Sequence, residues 1–374
     1  MKAAVLRAPK TPMTIEEVQL DNPAPDEVRV RVAASGLCHS DYHVVAGDLQ
    51  SRFPVVLGHE PSGIVESVGE RVSMFKPGDH VVACISGFCG HCNTCVQGFT
   101  YRCTDRPARA RTDPPRMSMP ALPDGKRLHV RSVGGFADTM LVHQNSLVKV
   151  PREIPLDRAC ILGCAVITGY GAVNRRAKVP PGSTVAVIGC GGVGLSVIQG
   201  ARLAGAARII AVDIEPTKLE MAKRFGATDA VMGGDDAPAA VVELTKGGVD
   251  YVFEVLGTMK TIQQGCLMLG AGGTLTIVGV PPHDAKLTLP GSLADMFMKE
   301  VRIQWTYMGS SPFTVDIPLL ADFYLQGKLE LDAMISNRIK LEDINAGFET
   351  MIGGRSARNV IVFDDVMKEA ARAA

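Results

Sequence analysis

The chain has no long apolar run, no excess of either charge and no leader-like start. Its 374 residues contain no stretch of about 18 or more uncharged apolar residues, so nothing in it reads as a membrane span. Lysine plus arginine number 39, and aspartate plus glutamate also number 39. That balance gives no support for a protein that works on nucleic acid or at an anionic membrane surface. The opening residues, MKAAVLRAPKTPMTIEEV, carry early charges and lack an apolar core, so they do not read as a secretory signal. No internal repeat is visible. With 46% hydrophobic and 21% charged residues, the composition is that of a soluble protein with sizeable cores. The length suggests two domains.

Cysteine, by contrast, is plentiful. Ten thiols without a signal point to a reducing, cytoplasmic setting in which sulfur serves metal rather than disulfides. Four of them, Cys89, Cys92, Cys95 and Cys103, follow Cys-x2-Cys-x2-Cys-x7-Cys spacing. The two-residue gaps let neighbouring thiolates converge on one ion, and the loop after Cys95 brings back the fourth. Four thiolates leave no open position, so the expected role is structural zinc. A second set is dispersed: Cys38 in GLCHSD, His59 in GHE and Cys164 in ILGCAVITGYG. Three ligands leave a place free for water or substrate, which is what catalytic zinc needs. Glu60, beside His59, is a candidate for touching such an ion, transiently or through its ligands. Asp41, three residues after Cys38, could orient a ligand histidine. Cys84, Cys160, Cys190 and Cys266 read as small buried hydrophobes.

Residues 1–150 are built of short Val/Ile runs broken by Gly, Pro, Asp and Asn, the pattern of a β-rich domain. Residues 104–133, rich in Pro and Arg, read as a long surface loop. From about residue 166 apolar strand-like runs alternate with helix-like stretches, which predicts an α/β unit with a doubly wound parallel sheet. There VAVIGCGGVG holds a G-x-G-x-x-G between a strand-like and a helix-like run: Gly189, Gly191, Gly192, Val193 and Gly194. Such a turn lets a pyrophosphate approach the backbone at a helix N-terminus. Asp213, at the end of ARIIAVD, suits the two hydroxyls of an adenosine ribose and would repel a 2′-phosphate, so NAD is favoured over NADP. The last 65 or so residues contain two helix-like and two strand-like segments whose return to the first domain periodicity alone does not prove.

At these motifs the chain resembles the zinc-dependent medium-chain alcohol dehydrogenases, with GLCHSD, GHE, the four-cysteine lobe, GCAVITGYGAV and VIGCGGVG in family order. The resemblance implies a GroES-like β-rich catalytic domain, residues 1–165 and 308–374, with a structural zinc lobe at about 86–104. It implies a Rossmann NAD-binding domain over 166–307 between those parts. Two Zn2+ per chain and NAD are the implied cofactors. Carried over by position, Cys38, His59 and Cys164 would bind the catalytic zinc. Ser40 would hydrogen-bond the substrate oxygen and begin a proton relay that ends at His43. His39 would lie near the pyrophosphate, where several members carry arginine, and this exchange could speed cofactor release. Thr168 would contact the nicotinamide, Val278 and Val280 would belong to the cofactor site, Lys218 would meet the adenosine ribose, and Arg358 would bind a phosphate. Ile85 replaces an aromatic pocket residue of some members.

The expected reaction is reversible oxidation of a primary or secondary alcohol with hydride transfer to NAD. A close rival is thiol-dependent formaldehyde dehydrogenase, acting on a hydroxymethyl adduct of a small thiol. A distant one is a non-catalytic zinc module that binds nucleic acid, which the zero net charge disfavours. The expected partners are a small alcohol or aldehyde and, from the resemblance, further copies of the chain in a homodimer or homotetramer; no nucleic acid or membrane is expected.

Overall fold

The computed structural model describes residues 1–105, 116–119, 127–282, 284–354 and 357–373. The chain divides into two compact units, residues 1–164 with 312–374, and residues 165–311.

The N-terminal part of the first unit supplies β1 (Lys2–Leu6), β2 (Thr14–Glu17), β3 (Gln19–Leu20), β4 (Glu27–Gly36), β5 (Val55–Val56), β6 (Glu60–Val68), β7 (His80–Ala83), β8 (Met117–Ser118), β9 (Arg127–Val130), β10 (Thr139–His143) and β11 (Leu147–Lys149). The second unit supplies β12 (Thr184–Ile188), β13 (Arg208–Asp213), β14 (Asp229–Met232), β15 (Val249–Glu254), β16 (Leu269–Ile277) and β17 (Arg302–Trp305). The C-terminal part adds β18 (Asn337–Ile339) and β19 (Asn359–Val362) to the first unit.

In the first unit β4 organises the larger sheet, which runs β11-β7-β6-β4-β19-β18, with β10 also paired to β4. The sequence EVRVRV explains this strand: Val28, Val30 and Val32 are buried while Arg29 and Arg31 are partly exposed, the alternation of a sheet with one face in a core. Those valines pack with Val65, Val81, Met140 and Val142. The chain's tail does return: β19 lies antiparallel to the end of β4, with Val360 opposite Gly36 and Val362 opposite Ala34. A closing helix, Asp364–Ala373, escaped the sequence reading; Arg31 Nη1 donates to its Glu369 Oε2 at 2.7 Å.

The segment 104–133 corrects the sequence reading. Thr104 and Asp105 are exposed as read, but residues 116–119 and 127–130 are not a surface loop. Met117–Ser118 pairs antiparallel with Gln19–Leu20 and with Arg127–Leu128 in a second sheet, β2-β1-β5-β9-β8-β3. Met117, Met119, Leu128 and Val130 are buried in one core with Ala3, Val5 and Val56. This two-residue alternation is short, and the surrounding Pro and Arg obscured it. Arg116 is 1% exposed, and its Nε donates to the buried Glu27 Oε1 at 2.9 Å. Residues 106–115 and 120–126 of that reading lie outside the described residues.

The second unit is a single parallel sheet ordered β14-β13-β12-β15-β16-β17. Its order reverses at β12, the topology of a Rossmann fold. Val185 to Ile188 are buried without alternation, as expected of a central strand covered on both faces. Helices Gly192–Leu203, Pro216–Arg224, Ala237–Thr245 and Met259–Leu267 lie where helix-like stretches were read. Among the described residues no single helix is long and apolar enough to cross a membrane.

Candidate metal and dinucleotide sites

Three neighbouring pieces of the first unit bring the dispersed set together. Cys38 stands between β4 and the helix His39–Ala46, in extended backbone (φ −125°, ψ 148°) that aims it off the helix axis. His59 immediately precedes β6 and Glu60 opens it, facing Gly36 across the β4–β6 ladder. Cys164 follows the tight turn Cys160–Gly163. Ligand atoms of Cys38, His59, Glu60 and Cys164 all lie within 4.8 Å of one another, and all four residues are buried.

Each member is held in place. His59 Nδ1 is 2.8 Å from Asp41 Oδ2, and Asp41 Oδ1 accepts from the Gly58 N–H at 3.2 Å. This pins the ring and leaves Nε2 to face the cluster. The absence of a side chain at Gly36 leaves room for the Glu60 carboxylate, whose Oε2 a Cβ there would displace. Arg358 Nη1 donates to Leu37 O at 2.7 Å and lies 3.4 Å from Glu60 Oε1. Arg358 is 4% exposed, so it is no solvated charge but a buried cation beside the cluster.

The chemistry of these donors fits a cation. His59 Nε2 and both Glu60 carboxylate oxygens are buried without a hydrogen-bond partner, an arrangement costly unless an ion satisfies them. The Cys38 thiol is held well below its usual range by its bond to Cys164 and by His59, against burial. Cys164 is pushed up by Cys38 and by burial. A divalent ion takes both sulfurs as thiolates, so its binding would displace their protons. Burial lowers His59, but Asp41 and Cys38 outweigh it and raise it well above the usual imidazole range. Burial also lifts Glu60 to about 8 despite Arg358. Because Asp41 fixes the His59 ring, Asp41→Asn is expected to weaken zinc affinity by about 10–100-fold. Competition with a chromophoric chelator measures this, and unchanged affinity would remove Asp41 from the site.

The four-cysteine group also converges, with all four sulfurs within 4.8 Å. Cys89 and Cys95 sulfurs are 3.9 Å apart, as are those of Cys92 and Cys103. A tetrahedral ion with Zn–S of about 2.3 Å requires sulfur separations of about 3.8 Å. The Cys92 N–H donates to Cys89 Sγ at 3.3 Å, the geometry expected when a two-residue gap folds into a turn around a ligand.

Beyond Cys38, the helix His39–Ala46 presents His39 exposed and Ser40 and His43 half-buried. His43 Nδ1 is 2.9 Å from Asp48 Oδ2, a partner with no sequence signal of its own.

In the second unit β12 ends at Ile188 and the glycine loop follows. Gly189 has φ +97°, and a Cβ there would press to 2.9 Å from Val255 Cγ2. A Cβ on Gly194 would overlap Gly189 O, so this glycine lets the helix start against the strand end. Gly191 caps the helix Gly192–Leu203, and a Cβ on it would meet nothing within 4 Å. That open side is the space a phosphate needs. Val193 is partly exposed beside it. Asp213 ends β13 and is tied to the loop: its Oδ2 accepts from Cys190 N at 2.7 Å and its Oδ1 from Glu215 N at 3.0 Å. Lys218 is half-buried on the next helix, Val278 is buried just beyond β16, and Val280 is exposed. Thr168 is buried, with Oγ1 3.9 Å from Met308 Sδ. Cys84, Cys160, Cys190 and Cys266 are all buried, as small hydrophobes should be.

Comparison with known proteins agrees with this geometry. The description "Alcohol dehydrogenase GroES-like domain" matches residues 24–152, and "Zinc-binding dehydrogenase" matches residues 192–324. The chain belongs to the zinc-dependent medium-chain alcohol dehydrogenases. Among solved members of this family, an alcohol dehydrogenase zinc-binding domain protein from Burkholderia ambifaria is 36% identical, with a TM-score of 0.92 over 97% of this chain and 98% of that one. Benzyl alcohol dehydrogenase from Acinetobacter calcoaceticus is 32% identical, with a TM-score of 0.88 over 97% of this chain and 99% of that one. A zinc-binding dehydrogenase from Sinorhizobium meliloti 1021, solved bound to NADP, is 28% identical, with a TM-score of 0.81 over 97% and 99%. The GroES-like and Rossmann folds implied by the resemblance are therefore those of this dehydrogenase.

Proposed function

We propose that this dehydrogenase oxidises a primary or secondary alcohol reversibly to the aldehyde or ketone, with NAD as the hydride acceptor and two Zn2+ per chain. The observation that carries the reading is the meeting of Cys38, His59 and Cys164 at one buried point with His59 Nε2 unpartnered. Cys38, His59 and Cys164 would hold the catalytic ion, and Cys89, Cys92, Cys95 and Cys103 the structural one. When bound, zinc supplies Lewis-acid polarisation of the substrate oxygen and NAD supplies the hydride sink. Ser40, two residues from Cys38, takes the hydroxyl proton and His43 passes it towards solvent, with Asp48 fixing the ring. Asp41 keeps His59 in the tautomer that leaves Nε2 for the ion. The glycine loop receives the pyrophosphate at the N-terminus of the helix Gly192–Leu203, while Arg358 stays beside Glu60 at the metal group. Asp213 and Lys218 receive the adenosine ribose, and Thr168, Val278 and Val280 serve the nicotinamide end.

Benzyl alcohol heads the substrate panel because a 32% identical relative carries that activity in its name. Ethanol, secondary alcohols, and formaldehyde with and without a small thiol complete it, each tested with NAD and NADP alongside zinc content. Turnover only of formaldehyde with thiol present would replace the general alcohol reading, and no turnover at full zinc loading would end it. An NADP-bound relative makes the choice of nucleotide worth a direct test. Asp213→Gly is expected to raise the NADP-over-NAD ratio of kcat/KM by at least about tenfold, because it removes a carboxylate that would repel the 2′-phosphate. An unchanged ratio would reject Asp213 as the discriminator.

Exposed Leu293, Phe297, Met298 and Trp305 cluster in sequence around β17, the edge strand of the second sheet. An apolar stretch at an open strand edge supports a homodimer or homotetramer, which light scattering measures. Ten free cysteines support a reducing, cytoplasmic location.

A further inference from the structure

Glu254 ends β15 with its side chain fully buried, yet among the described residues no basic group contributes to its electrostatics. Its carboxylate is instead consumed by the backbone that follows. Oε1 accepts from Leu256 N at 2.8 Å and Gly257 N at 2.8 Å, and Oε2 lies 3.1 Å from Gly257 N. Thr261 Oγ1 donates to Oε1 at 2.8 Å, tying in the first turn of the helix Met259–Leu267. The main-chain oxygen of Glu254 accepts from Val278 N at 2.8 Å and Gly279 N at 3.1 Å. One residue thus fastens two loops at the C-terminal ends of β15 and β16.

These loops are tightly fitted to each other and to the glycine loop. A Cβ on Gly279 would overlap Gly257 N, and one on Gly257 would come to 2.6 Å from Val280 O. On the other side, a Cβ on Gly189 would come to 2.9 Å from Val255 Cγ2 and 3.1 Å from Leu256 Cδ2. Residues 255–257 are therefore wedged between the turn that would take the pyrophosphate and the segment 278–280. Leu256 and Val280, about half exposed at 52% each, form the apolar lip. Ligands of such sheets bind outside the carboxyl ends of the strands, where the order reverses. Here that reversal lies between β12 and β15.

We propose that Glu254 is a positioning residue for the dinucleotide: its buried carboxylate sets loop 255–257 against the glycine loop and so fixes the width of the cofactor cradle. The inference rests on reading the second unit as the nucleotide site. Burial favours the protonated acid and the N–H and O–H donors oppose it. An alanine here leaves two buried N–H groups without their acceptor and frees the loop. A glutamine keeps one acceptor oxygen.

Isothermal titration of the zinc-loaded full chain with NAD and with NADP tests this. The expected result is that Glu254→Ala raises Kd for the bound nucleotide tenfold or more. KM for the nucleotide should rise in parallel and kcat at saturation change less, with zinc content unaltered and Glu254→Gln recovering most of the loss. A residue that only stabilises the fold would lower the melting temperature and leave Kd alone, so a change below threefold in folded Glu254→Ala overturns the proposal. Should the alanine variant not fold, Glu254→Leu, which likewise removes both acceptor oxygens, is read by the same threshold; failure of both to fold also overturns it. Wild-type protein that binds neither nucleotide would instead bring down the nucleotide reading, and this inference with it.

Discussion

Cys38→Ser lowers alcohol turnover by about 10³-fold or more. An ion held by Cys38, His59 and Cys164 would supply several kcal/mol of charge stabilisation, and each ~1.4 kcal/mol is tenfold in rate. The variant keeps its fold. Cys38 precedes the helix His39–Ala46 but makes no side-chain capping bond, so the helix loses nothing when the thiol goes. The sulfur's close partners are Cys164 and His59, both in the metal group, and the Arg358 guanidinium beside it. The expected signature is one zinc per chain instead of two, an unchanged far-UV circular dichroism spectrum and loss of activity. Normal turnover at full zinc content would show that Cys38 is not a ligand.

Arg116→Ala destabilises the protein by about 3–5 kcal/mol, the cost of leaving one partner of a buried ion pair behind. Arg116 and Glu27 are both nearly inaccessible, and the arginine leads directly into β8. Glu27 Oε2 also accepts from Ala24 N at 3.0 Å, so the carboxylate braces the turn into β4 as well. Replacing both partners by apolar residues, Glu27→Leu with Arg116→Met, should recover part of the loss, because the buried pair is then exchanged as a whole for apolar groups. Urea unfolding of the single and double variants measures it. A loss below ~1 kcal/mol for Arg116→Ala would mean the pair acts like one at the surface.

The metal-type residues were legible in the sequence because their residue types are few and their spacing is informative. Two-residue gaps between thiols leave little else to explain them, and GHE and GLCHSD give His59 and Cys38 distinctive settings. The alternation of strand and helix was legible too, since period-2 and period-3.6 patterns survive in a single chain. What stayed hidden was burial of charge. Nothing in a Pro- and Arg-rich stretch marks Arg116 as an interior residue, because its partner Glu27 is brought close only by folding. Arg358 lies likewise in GGRSARNV, a composition suited to a surface turn, yet it sits beside Glu60. Gly36 could not be assigned to Glu60 without the β4–β6 register. Glu254 left the faintest trace: an acid closing the apolar run VDYVFE, whose donors belong to the backbone and so have no residue type to recognise.

The placement of β19 governs how the chain can be made. Val362 pairs with Ala34, so the Ala34–Gly36 end of β4 waits for its neighbour until nearly the whole polypeptide has emerged from the ribosome, although β6 and β10 pair with β4 early. Residues 165–311, whose sheet uses only their own strands, are complete well before that. The nascent protein therefore carries a finished Rossmann unit and a sheet in which the Ala34–Gly36 edge is still unpaired, the kind of edge that invites association and that chaperones cover. A chain stalled or cut before residue 359 keeps that edge exposed, while the later-made half of the molecule is already folded.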